Sequence, residues 1–211
     1  MLEKMPPALG RALHGVRSGI HRIAFEDTTL TGRHHTIEVG SAAFSQGGAI
    51  PVRFTEDGDR ISPPLAWRGV PAGTAGVVLL VEDADSPTLH PFVHAIVWNL
   101  PPRDAHLPPG ALRGPTGPGD GHALGKNSLL KAQYLPPDPP PGHGPHRYAF
   151  QIYALDRPCD FSQPPGRRHL LAAMRGHVVA KGCLLGTYER VEAKAGVHRQ
   201  VDGGKSRARV H

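Results

Sequence analysis

Residues 77–82 (VVLLVE) constrain the fold most. They form a continuous apolar run, which fits a buried strand. Three further segments fit strands: 93–100 (VHAIVWNL), 147–155 (RYAFQIYAL) and a last one near Cys183–Tyr188. The β-branched and aromatic content of 147–155 suits a pleated surface better than a helix. From Thr36 the pattern has period two, and 55–64 (TEDGDRISPP) reads as a loop. Only two helices are expected. The first follows Pro6-Pro7, where Leu9, Leu13, Val16, Ile20 and Ile23 form one amphipathic stripe. The second spans about Gly166 to Ala180, with Leu170, Leu171, Met174 and Val178 on one face and Gly182 beyond its end as a cap. At least four strands without strand–helix alternation point to a mainly β, antiparallel domain with peripheral helices.

The 26 Gly and 23 Pro together make 49 of the 211 residues, so a loop-rich domain with short strands is expected. Twenty of them lie in 101–145, a long irregular excursion of the kind that often carries function. The chain divides into an N-terminal amphipathic helical extension (1–33), one domain (34–191) and a basic tail (192–211), poor in bulky apolar residues and expected to be disordered. The net charge is +6, but the ends carry it: +3 in 192–211, +2 in 1–33, and only +1 in between. The body therefore lacks the basic groove that tracks a phosphate backbone, and no nucleic acid partner is expected.

No run of eighteen apolar residues exists, so no transmembrane helix is expected. The start MLEKMPPALG lacks the apolar core and cleavage site of a secretion signal, which points to the cytoplasm. Cys159 and Cys183 lack metal-type spacing and read as two free thiols. The basic N-terminal stripe suits a membrane surface less well than the chain's own domain or a second copy. Gly10, Gly15 and Gly19 would weaken a free helix by about 1 kcal/mol each.

Two segments place polar residues where strands end. In 81–94 (VEDADSPTLHPFVH), Asp83 and Asp85 follow the apolar run, and continued extension would put both carboxylates on one side. Pro87 fixes the turn and His94 opens the next strand. In 139–148 (PPPGHGPHRY), a rigid loop from Pro139 through Gly142 runs into His146 and Tyr148, two apart and on one face. Three readings are open. His94, His146, Tyr148 and amides from Gly142 to Gly144 can donate to an anion such as phosphate. An aspartate facing that anion is tolerable where it shares a proton or orients a histidine. His94, His146 and a carboxylate can instead hold zinc or iron. Acid–base or nucleophilic catalysis would use Ser86 beside Asp and His, although Ser86 precedes a proline and sits on no nucleophile elbow.

These two segments resemble the phosphatidylethanolamine-binding protein family, most closely its bacterial, Raf kinase inhibitor-like branch. The first resemblance lies in Asp83-Ala84-Asp85-Ser86-Pro87 followed by His94. The second lies in Pro139-Pro140-Pro141-Gly142 followed by His146-Arg147-Tyr148. Ser62-Pro63-Pro64-Leu65 with Trp67, and the ending GCLLGTYER, add weaker matches over about 36–190. The resemblance implies two packed antiparallel sheets with helices at the edges and a small pocket where the two segments meet. It implies that Asp83, His94, His146 and Tyr148 line the pocket, that Asp85, Pro87 and Pro139 shape it, and that Ser86–Pro87 is cis. Phosphate, acetate or a phosphoryl headgroup would be the guest. Ala84 replaces a usual proline, and Pro91, Phe92 and Val93 replace the residues usual before the histidine, so the rim differs. The leading expectation is a small-anion binding protein with no cofactor, no metal and no catalytic residue. It leaves room for a homodimer or a protein partner that responds to the ligand. A metal-assisted or acid–base hydrolase using the Asp/His cluster is the alternative.

Overall fold

Strand β4 (Gly76–Asp83) is buried along its whole length, and the fold is built around it. The computed structural model describes residues 5–30, 35–112 and 122–190, the side chain of His35 excepted. The tail expectation for 192–211 lies outside these residues. A six-stranded sheet runs β1-β9-β8-β4-β5-β7. Its strands are β1 (His35–Thr36), β5 (Phe92–Leu100), β7 (Ala123–Gly125), β8 (His146–Leu155) and β9 (Val178–Tyr188) with β4. All its pairings are antiparallel except β1 with β9. A smaller antiparallel sheet holds β2 (Glu38–Gly40), β3 (Leu65–Arg68) and β6 (Ala105–Leu107).

The unbroken apolar run in β4 follows from burial on both faces. Val77, Leu79 and Val81 pack into a core with Leu65, Trp67 and Leu107 of the small sheet. Val78 and Leu80 point the other way, onto Leu170, Leu171 and Met174 of helix α2 (Arg167–Met174) and onto Ala24 and Leu30. A strand covered by a sheet on one side and by a helix and a loop segment on the other has no use for alternating polar residues.

The helices are shorter than the sequence pattern predicts. Helix α2 stops at Met174, and Gly176, with φ of +73°, turns the chain. Val178 therefore belongs to β9, and Gly182 is no cap: it sits mid-strand in β9, where a Cβ would run into the Ile37 carbonyl beside β1. The N-terminal stripe is not one helix either. Helix α1 covers only Pro7–Ala12, and three 3-10 turns follow at Ile20–Arg22, Ala24–Glu26 and Thr28–Leu30. Ile23 is buried, whereas Leu9 and Val16 are exposed, so the apolar stripe as a whole faces no common surface.

The segment is held by polar groups instead. The amides of Ala24 and Phe25 donate to Glu82 Oε2 and Gln151 Oε1, each at 2.7 Å. Glu82, fully buried, also accepts from Gln151 Nε2 at 2.9 Å and Arg167 Nε at 2.6 Å. One carboxylate thus joins the N-terminal segment, β8 and α2.

Candidate functional site

The strand register alone brings the two polar segments together. Asp83, the last residue of β4, lies opposite Phe92 on β5 and Tyr148 on β8. Side chains opposite one another share a sheet face, as do residues two apart on a strand. His94, two beyond Phe92, and His146, two before Tyr148, therefore join Asp83 and Tyr148 on the face turned toward the small sheet. The rings confirm this. His94 meets Tyr148 edge-on with centroids 5.2 Å apart, and His146 stacks on Tyr148 at 6.4 Å.

Each member has a distinct role. Asp83 Oδ2 lies 2.7 Å from His146 Nδ1, and its other oxygen accepts the Asp85 amide at 2.8 Å. Asp83 thus orients a histidine. His146 Nε2, expected to face a ligand, lies instead 2.7 Å from Nδ1 of His143. His143 Nε2 lies 3.2 Å from the Val16 carbonyl. That carbonyl can only accept, so His143 carries its proton on Nε2, and its Nδ1 accepts from His146 Nε2. Both His146 nitrogens are thereby committed, Nε2 to His143 and Nδ1 to Asp83. Burial, aided by the nearby His146 and Arg17, lowers the pKa of His143 and keeps it neutral.

His94 and Tyr148 are left with unused polar atoms. His94 Nδ1 donates to the Leu135 carbonyl at 2.8 Å, while its Nε2 is buried without a partner. The Tyr148 hydroxyl is likewise buried without a partner. Only 4% of His94 and 1% of Tyr148 are exposed, so water does not satisfy these atoms from outside. Burial lowers the His94 pKa despite the opposing field of Asp83, so Nε2 presents a lone pair. Burial, reinforced by Asp83, pushes the Tyr148 pKa well up, so its hydroxyl stays a donor. A donor and an acceptor on rings in contact suit a guest that carries both an acceptor oxygen and an O–H.

Asp85 does not share a side with Asp83. The chain turns after β4, and Asp85, fully buried, faces Arg147 and Arg17. It accepts from Arg147 Nε and Nη2, both at 2.7 Å, and from the Arg147 amide at 2.9 Å, and Arg17 Nη1 lies 3.1 Å away. Burial alone would raise its pKa, but the hydrogen bonds from Arg147 and Arg17 outweigh that and hold it at about 2. Asp85 clamps two loops together. Pro139 gives its carbonyl to Arg190 at 2.8 Å, Pro87 is half-buried at the turn, and Gly142 takes φ of +77°. The His143 amide is spent on the Pro140 carbonyl, so it adds no donor to a guest. Ser86–Pro87 is trans, since no described peptide bond is cis.

The Ser86 hydroxyl bonds Thr88 Oγ1 at 2.7 Å and lies 3.3 Å from Ser18 Oγ, with no base beside it. Among the described residues no group of three or more His, Cys, Asp or Glu is arranged to hold a metal ion. No helix among them is long and apolar enough to cross a membrane. Cys159 and Cys183 are free thiols. A cleft of about 320 Å³ opens between Ile20, Ile23 and Phe25 and the β9 residues Cys183 and Leu185, and none of the site residues lines it. The site itself is closed.

Sequence reasoning missed His143, Arg17 and Ser18. His143 sits between Gly142 and Gly144, both with positive φ. A lone side chain between two such glycines is turned where the loop needs it, and that Gly-His-Gly pattern is the signal that would have found it.

Comparison with known proteins identifies relatives of the whole fold. Residues 40–189 match the sequence profile of the family described as phosphatidylethanolamine-binding protein. A UPF0098 protein of Methanothermobacter thermautotrophicus is 39% identical over 151 residues, covering 70% of this chain and 95% of the relative. The crystal structure of a phosphatidylethanolamine-binding protein homologue from Chlamydia trachomatis superposes with a TM-score of 0.66 at 36% identity, covering 74% of this chain and 99% of that one. E. coli YbcL, described as a member of the mammalian family, superposes with a TM-score of 0.67 at 27% identity, covering 73% and 98%. With its profile matched from β2 to the end of β9, its two sheets and its His–Asp–Tyr cluster in register, the chain belongs to the phosphatidylethanolamine-binding protein family.

Proposed function

We propose that this protein binds a small oxyanion, of the phosphate or phosphoryl-headgroup class, at His94 and Tyr148. The observation that carries the reading is the pair of buried, unpartnered polar atoms, His94 Nε2 and Tyr148 Oη, on rings in edge contact. An unpaired buried polar group costs about 1–3 kcal/mol, and a ligand that pairs both recovers that cost on binding. A singly protonated phosphate offers both partners at once, an oxygen for the Tyr148 hydroxyl and an O–H for His94 Nε2. A fully charged oxyanion, acetate included, binds once His94 Nε2 takes up a proton from solvent. Acetic acid brings its own O–H, as the singly protonated phosphate does. Asp83 does not repel the guest, because His146 stands against its Oδ2 at 2.7 Å.

The hydrolase alternative has no comparable support, since Ser86 lacks a base and His146 has both nitrogens committed. Titration calorimetry with inorganic phosphate and with phosphorylethanolamine tests the reading. Both probes are expected to bind the wild type, and His94→Ala and Tyr148→Phe to weaken binding by about tenfold or more. No heat in the wild type, or equal affinity in both variants, would sink it.

A further inference from the structure

The site is closed, and part of what closes it lies outside the family match, which begins at residue 40. Residues 7–18 cross both loops that frame the cluster. Gly10 is buried against the 141–143 loop so closely that a Cβ there would meet the Pro141 carbonyl. Val16 places its carbonyl at His143 Nε2. Arg17 donates to the carbonyls of Pro145 at 2.8 Å and His143 at 3.1 Å, besides pairing with Asp85. The Ser18 amide and hydroxyl donate to the Ser86 and Ala84 carbonyls, both at 2.9 Å.

Two halves of the N-terminal segment are held differently. Beyond Gly19, whose φ is +97°, Ile23, Ala24 and Leu30 are sunk in the core and their neighbours bond Glu82 and Gln151. Before Gly19 no large apolar side chain is fully buried: Leu9 is 47% and Val16 49% exposed, and Leu13 is half-buried. That half is held almost wholly by hydrogen bonds and one ion pair. Such contacts exchange with water at a net cost of about 1 kcal/mol apiece, far less than the burial that anchors the other half. A glycine at left-handed φ between an anchored and a lightly held part is a natural pivot.

We propose that residues 7–18 are a tethered strap that lifts about Gly19 to admit the ligand, and that His143 then becomes a further anion-binding residue. In the closed state the Val16 carbonyl oxygen occupies the acceptor position at His143 Nε2–H. Once the strap is lifted, an anionic oxygen takes that place, backed by the His146–Asp83 pair. The purpose of the strap rests on the anion reading above, but its motion does not.

The test uses the full-length protein and two variants, Arg17→Ala and Gly10→Val, which act on opposite ends of the strap. Diethylpyrocarbonate labelling of His143, read by mass spectrometry, reports opening without any ligand. Hydrogen exchange at the Phe150–Tyr153 amides reports the core. Both variants are expected to label His143 about tenfold faster with the core unchanged, since each loses one or two hydrogen bonds or a close fit. Inorganic phosphate is expected to bind both variants more tightly than wild type, and His143→Ala in the Arg17→Ala background to cancel that gain. Unchanged labelling in both variants overturns the strap. Faster labelling with unchanged phosphate affinity overturns the gate. Faster labelling with no phosphate binding by any protein overturns the anion reading and the gate together.

Discussion

Arg147 grips Asp85 with one edge of its guanidinium, Nε on one carboxylate oxygen and Nη2 on the other, each at 2.7 Å. The carboxylate is wholly buried, so this pair and Arg17 decide when it ionises. Asp85 titrates near 2 in the folded chain against an ordinary 3.8. A depressed carboxylate pKa stabilises the fold above the unfolded value, and that stability is lost as pH falls through the folded one. Urea unfolding at pH 5, 3 and 2 should show a loss of about 2 kcal/mol from this group, concentrated below pH 4. Asp85→Asn should be less stable at pH 5 and should lose less between pH 5 and 2.

His94 shifts for another reason, and its window lies higher. Burial lowers its pKa from 6.5, with Asp83, Asp138 and His146 as the charged or titratable groups around it. A guest without a proton of its own favours the protonated ring, so its affinity should be highest on the acid side. It should fall by up to about tenfold per pH unit as pH rises from the free-state value toward the bound-state one. Calorimetry in two buffers of different ionisation heat should show proton uptake in that range. A flat affinity profile with no uptake would mean that the guest brings its own proton or leaves Nε2 unused.

Glu82 should be among the costliest residues to truncate. It is buried and accepts from Arg167 Nε, Gln151 Nε2 and the Ala24 amide. Glu82→Ala would strand these donors together with one charge. A loss of about 3 kcal/mol is expected in urea unfolding. Glu82→Gln, which keeps one acceptor, should lose less.

Gly182→Ala tests the close approach of β1 to β9. The added methyl would press on the Ile37 carbonyl and the Val39 side chain. Backbone yields less readily than a side-chain tip, so a loss of about 1–3 kcal/mol is expected. Gly166→Ala, where nothing lies within 4 Å, serves as the control.

Neither cysteine should react in the folded protein. Burial pushes up the pKa of both thiols, that of Cys183 to about 12 with Glu26 and Glu82 adding to the effect. The thiolate is the reactive species. Ellman's reagent at pH 8 should therefore find almost no thiol in native protein and two after denaturation in guanidinium.

The sequence made the centre of the sheet readable and its margins much less so. The run at 77–82 could be buried only one way, and β4, β5 and β8 lie where apolar pattern puts them, whereas β9 begins at Val178, ahead of the stretch near Cys183–Tyr188 that the pattern marks. The N-terminal stripe misled because spacing records what a helix would bury, not whether anything is there to bury it. Gly10 is needed for contact with the Pro141 loop, and from Ser18 the chain follows hydrogen bonds to Ser86 and Ala84 rather than helical ones. His94, His146 and Tyr148 were readable from their place at strand ends. The turn that separates Asp85 from Asp83 was not, because it depends on Arg147 and Arg17, which come from distant parts of the chain.

The larger sheet ends in very short strands, two residues in β1 on one side and three in β7 on the other. Its four long strands, the most hydrophobic part of the chain, lie in the interior of the strand order. A passing copy thus meets only a brief row of free amides and carbonyls at either margin, too few to template a growing fibril. The long ladders of this β-rich chain are thereby kept away from the open margins where edge pairing begins.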